Sequence, residues 1–163
     1  MRSHRKLIIL SICSALTIVP LMSFASSHAA ERTVVGAWRT AVTLVDCQTR
    51  QPVGVPTISG LSTFHDGGTM SEFGIGPGSS PALRSPSHGV WQREHGWQDY
   101  SFTFIHYRYD SSGGFIGSQQ VTADLELAAS GDAYASNAVV EILDVNNNII
   151  GKACAVSAGT RFE

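Results

Sequence analysis

The sequence predicts an all-β protein, an eight-stranded up-and-down antiparallel β-barrel, and three observations carry that expectation. Short segments alternate apolar and polar residues with a period of two, while no stretch past the N-terminal leader keeps a helical period. Clusters of Gly, Asn, Asp and Ser separate these segments, and such short links make sequential strands antiparallel neighbours. Cys47 ends the first segment and Cys154 lies in the last, so a bridge between them would set the two ends of the sheet side by side.

The first element in the chain, residues 1–29, stands apart from the fold. Arg2, Arg5 and Lys6 precede a run over 7–21 that is apolar except for Ser11, Ser14 and Thr17, and Ser27-His28-Ala29 offers small residues where a signal peptidase reads. This predicts a secretory signal cleaved near Ala29, leaving 30–163 as a single domain exported to the periplasm or the medium. The run, broken by Pro20, is shorter than the roughly twenty residues of a membrane helix, and no other segment is apolar enough to span a bilayer. With 43% hydrophobic and 15% charged residues the chain is neither disordered nor fibrous. Without the leader, eight Lys and Arg face thirteen Asp and Glu, a net −5 with no basic stripe. Nucleic acid and an anionic membrane surface are therefore excluded as partners. Cys13 belongs to the leader and lacks the small residue that a lipoprotein cleavage needs before it. Cys47 and Cys154 remain, and in an exported chain an even pair reads as a disulfide rather than as free thiols or a two-ligand metal site.

The strands are expected over 34–45, 58–64, 69–75, 89–94, 99–109, 115–128, 133–145 and 149–157. The turns between them carry residues that tolerate positive φ: Asp66-Gly67-Gly68, His95-Gly96, Ser111-Ser112-Gly113-Gly114, Ser130-Gly131-Asp132 and Asn146-Asn147-Asn148. The sixth strand shows the pattern best, with Val121, Ala123, Leu125 and Leu127 on one face and Gln120, Thr122, Asp124 and Glu126 on the other. A two-sheet sandwich would use the same strands, and the cysteines favour closure. Opposed residues of an antiparallel pair have numbers summing to a constant, which is 201 for the two cysteines and 199 for Trp38 with Arg161, one diagonal step apart. One register accommodates both, with the cysteines on one face and the Trp and Arg on the other.

Gly36-Ala37-Trp38 at the start of the first strand and Arg161 near the chain end resemble the signature of the lipocalin, or calycin, superfamily. The resemblance implies that Trp38 covers the closed end of a barrel and that the Arg161 guanidinium stacks on its indole. Gly89-Val90-Trp91 repeats the pattern internally. The T-D-Y-type motif is missing and no helix is expected after the last strand, so the chain resembles a compact lipocalin-like barrel rather than a typical lipocalin.

In such a meander the odd-numbered connections share one end, and they include the two long ones, 46–57 and 76–87, which marks that end as the mouth. Strand five places Phe102, Phe104, His106 and Arg108 on one face and Ser101, Thr103, Ile105, Tyr107 and Tyr109 on the other. The first face grades from apolar to polar toward the mouth, which favours it as the lining of a ligand site. Arg84 in the long connection and Arg108 are candidates for a ligand carboxylate or phosphate, with Trp91 and Phe104 as apolar walls and His88 beside them if it faces inward. Glu72 with His106 is a candidate acid–base pair. The four histidines past the leader show no zinc spacing, no nucleophile elbow occurs, and no cofactor is implied. Three functional readings follow: a barrel that binds a small apolar or amphipathic molecule without covalent chemistry, a cofactor-free cyclase or isomerase resembling the allene-oxide-cyclase barrels, and a packed scaffold whose loops meet another protein.

Overall fold

The computed structural model describes residues 32–162, and the expected leader lies outside them. Strands β1 (Gly36–Val45), β2 (Ile58–Phe64), β3 (Thr69–Ile75), β4 (Ser87–Arg93), β5 (Asp99–Tyr109), β6 (Phe115–Leu127), β7 (Ala133–Leu143) and β8 (Ile149–Arg161) follow one another, with one 3₁₀ turn (Pro81–Leu83) between β3 and β4. Each strand pairs antiparallel with the next and β8 returns to β1, so the sheet closes without a free edge. The all-β, eight-stranded up-and-down barrel anticipated from the alternation is the fold observed.

The seam between β1 and β8 runs in one register from Trp38 opposite Arg161 to Val45 opposite Cys154. Cys47, two residues beyond the end of β1, reaches Cys154 in a disulfide with 5.2 Å between Cα atoms and 107 residues between the cysteines. The diagonal offset between the two sums is thus the reach of Cys47 past the strand end. Trp38, Thr40, Val42 and Leu44 face the interior, whereas Cys154 lies on the outer face of the seam under the 46–53 turn.

Strands β1, β4, β6, β7 and β8 begin or end one to four residues from expectation, and the ends of β8 and β7 have a clear physical reason. β8 continues to Arg161 instead of stopping at 157, because Gly159 is not a terminator: a Cβ there would lie 2.1 Å from the Tyr134 ring, so the glycine makes room for that ring inside a continuous strand. β7 stops at Leu143 because Asp144 opens the turn, its Oδ1 accepting from the backbone N–H groups of Asn146 and Asn148, both at 2.8 Å.

The closed end holds most of the fully buried large side chains. Val34, Trp38, Phe64, Tyr100 and Leu127 are buried almost completely, with Trp38 edge-on to Tyr134 at 5.0 Å and Phe64 against Phe102 at 5.8 Å. The Trp38 indole donates to the Val34 carbonyl at 2.8 Å. Arg161 lies with its guanidinium carbon 4.2 Å from the Trp38 ring centroid and donates to the carbonyls of Thr33, Val35 and Gly131 at 2.6, 2.6 and 3.0 Å. Gly36, at φ +134°, clears the way: a Cβ would stand 2.5 Å from Arg161 Nη1.

Candidate functional site

Alternation along each strand decides what enters the lumen. On β5 the even residues turn inward, so Phe102, Phe104 and His106 line an internal cavity while Ile105 and Tyr107 are exposed on the outer wall. The cavity measures about 100 Å³, against roughly 10–15 Å³ for one water. The barrel is therefore hollow above its floor. Val42, Leu44, Val121, Val140 and Ala155 supply most of the apolar wall, and Phe102 stacks on Phe104 at 6.0 Å.

A belt of hydroxyls crosses the lumen lower down. Thr40, Ser62, Tyr134, Ser136 and Ser157 all line the cavity, and Ser136 and Ser157 share a hydrogen bond at 2.7 Å. The Tyr134 hydroxyl bonds to Ser62 and Ser157, and burial pushes this phenol above its ordinary range. Gly60 keeps the belt open, since a Cβ there would fall on Thr40 Oγ1.

Toward the mouth a second group gathers. Arg84, delivered by the connection after the 3₁₀ turn, donates from Nη2 to Glu72 Oε2 at 2.6 Å and to Ser87 Oγ at 2.7 Å, and from Nη1 to the Gly74 carbonyl at 3.0 Å. Ser87, wholly buried, donates to the same Glu72 oxygen at 2.6 Å. Glu72 and Arg84 thus satisfy each other: the carboxylate pairs with Arg84 rather than with His106.

His106 is the unusual member. It is 5% exposed, and its Nδ1 has no hydrogen-bond partner among the described residues. Burial, followed by the charges of Arg84 and Arg108, lowers its pKa to about 3, so the ring is neutral at physiological pH. His106 also borders a second pocket of about 250 Å³ at the mouth, together with Arg108, Gln119, Leu83 and Gly76. Ile58, Arg84, His106 and Gln119 line both spaces, which therefore adjoin.

Of the residues singled out from the sequence, Glu72, Arg84, Phe102, Phe104 and His106 surround the inner cavity, and Arg108 stands at the mouth. Two lie elsewhere. His88 is exposed on the outer wall opposite Ile105, because Ser87 and Gly89 are the inward residues at that point of β4. Trp91 packs into the floor against Phe64 and Tyr100 and donates its indole N–H to the His65 carbonyl at 2.9 Å, below the cavity that it was expected to wall. Gln119 and the hydroxyl belt were not anticipated. Gln119 could have been found by running the β6 alternation two residues back from Val121; the belt could not, because β7 carries small and apolar residues on both faces.

Among the described residues, no three His, Cys, Asp or Glu side chains gather as metal ligands, and no helix is long and apolar enough to cross a membrane. No protein-family model matches the chain, and no curated protein matches it in sequence. The fold itself defines the class: a closed, eight-stranded antiparallel barrel compatible with a lipocalin-like architecture.

Proposed function

We propose that this chain is an exported, lipocalin-like binding protein that holds a small, mostly apolar molecule in its barrel and performs no covalent chemistry on it. The buried, unpartnered Nδ1 of His106 at the polar end of an apolar cavity carries this reading. A buried polar atom without a partner is costly, and a bound molecule with one polar group would satisfy it. The gradient from Val42 and Phe104 to His106 and Gln119 matches an amphipathic guest. The Cys47–Cys154 disulfide accords with an oxidising compartment outside the cytoplasm.

The cyclase reading has less support. An acid–base catalyst works best with a pKa near the working pH, whereas His106 sits near 3 and Glu72 is held by Arg84 and Ser87. For the scaffold reading, Leu83 is the one exposed large hydrophobic in the 76–87 connection, too little for a contiguous apolar patch there.

Native mass spectrometry of the protein purified from its source tests the proposal. A non-covalent small-molecule adduct is expected on the natural chain and absent from Ala138→Phe, which fills the cavity from a wall position. An adduct of equal occupancy on both proteins, or none on either, overturns it.

A further inference from the structure

We propose that the junction between the inner cavity and the mouth pocket is an anion subsite, in which Arg108, with His106 and Gln119 beside it, receives the carboxylate of a small monocarboxylic acid whose apolar body fills the inner cavity. This rests on the binding function proposed above and names the class of molecule bound.

The charges lining the two spaces do not balance. Arg84 and Arg108 are cationic, Glu72 is the single carboxylate, and His106 is neutral, which leaves one positive charge unanswered. That charge belongs to Arg108. Arg84 is fully engaged by Glu72, Ser87, Gly74 and Ser85, whereas no hydrogen bond or ion pair holds the Arg108 guanidinium among the described residues. Its cross-strand neighbour on β6 is Gly117, which offers no side chain, and on the other side it bridges to Arg84, a second cation rather than a partner of opposite charge.

Register completes the subsite. His106 lies directly across from Gln119 on the β5–β6 ladder, and Arg108 is two residues nearer the rim on the same face. Each of the three can donate a hydrogen bond: the guanidinium, the Gln119 amide and the neutral imidazole, whose tautomer follows the acceptor it meets. Glu72, the acceptor that could compete, is occupied by Arg84 and Ser87 on the β3–β4 side. A single uncompensated charge suits a monoanion better than a dianionic phosphate. The half-buried setting strengthens a charge-assisted bond relative to the same bond in water.

Calorimetric or NMR titration of the folded protein at pH 7 with octanoate, octan-1-ol and octyl phosphate tests the assignment. Octanoate is expected to bind about ten- to a hundredfold more tightly than octan-1-ol, with the His106 ring resonances shifting. Arg108→Gln should erase that preference, and Arg108→Lys should retain most of it. Octanol binding as tightly as octanoate overturns the anion subsite and leaves the apolar cavity reading intact; octyl phosphate outcompeting octanoate overturns the monocarboxylate assignment. If none of the three binds, the cavity reading falls together with the subsite.

Discussion

His106 concentrates the residue-scale physics, because burial and two neighbouring guanidinium groups oppose its protonation, while the Glu72 carboxylate lining the same cavity is held by Arg84 and Ser87. Apolar wall lies below it, Arg84 and Arg108 lie near it, and Gln119 across the ladder is uncharged. A histidine in the unfolded chain takes up its proton near pH 6.5, whereas the folded one does so near 3. Between those values the unfolded state holds one more proton. Stability is therefore complete above pH 6.5 and declines as pH falls through the window, by up to about 1.4 kcal/mol per pH unit. Urea unfolding between pH 4 and 7 should show that slope in the natural chain and its loss in His106→Leu. The Glu72–Arg84 pair gives a second test. Glu72→Gln leaves a guanidinium with its charge unanswered in a largely buried position, and should cost about 3 kcal/mol in denaturant unfolding. The sequence displayed both residues, but not their pairing, since Arg84 arrives from an irregular connection whose path no periodicity encodes.

At the scale of the strand, glycines decide where side chains can go. Gly36 combines a φ of +134° with the Arg161 guanidinium pressed against its missing side chain. Gly36→Ala should therefore displace Arg161 from Trp38 and lower stability by roughly 1–3 kcal/mol, read by thermal unfolding together with the near-ultraviolet signal of the indole. The G-x-W motif and the distant arginine were legible as a pair through the lipocalin resemblance, and ladder arithmetic showed that one register holds them together with the cysteines. β6 was legible for a related reason, as its polar and apolar residues fall cleanly on opposite faces. β4 was not. Trp91 lies three positions after His88, an odd offset, so the two cannot share a face of one strand, and only the position of Ser87 against Glu72 settles which of them turns inward. β7 hid its contribution as well: Val139 is 47% exposed while Ser136 is buried, the reverse of what hydrophobicity alone suggests.

Across the molecule, the disulfide and the rim turns act on different terms. The bridge spans 107 residues, a length at which the chain-entropy model assigns about 4.7 kcal/mol, although measured values run lower for many bridges. Replacing both cysteines by serine should lower stability by about 2–5 kcal/mol while leaving the β-sheet circular dichroism in place, because the β1–β8 ladder closes the sheet by itself. Three of the turns at the mouth follow one design. Asp46, Asp110 and Asp144 each turn a carboxylate back onto the following backbone N–H groups, and those bonds hold the carboxyls below their ordinary range. Their contribution is present above about pH 3.8 and is lost on acidification. The amides of Thr49, Ser112 and Asn148 should titrate in NMR spectra with midpoints below that value.

The β1–β8 seam has a kinetic consequence. Seven of the ladders join strands that are neighbours along the chain, and only this one unites residues as distant as Trp38 and Arg161. Hairpins can zip early and independently, but docking the first strand on the last must await a slow, long-range search. In a reduced chain that search should limit the refolding rate, and the bridge, once formed, should slow unfolding more than it speeds refolding when the two rates are compared with and without reductant.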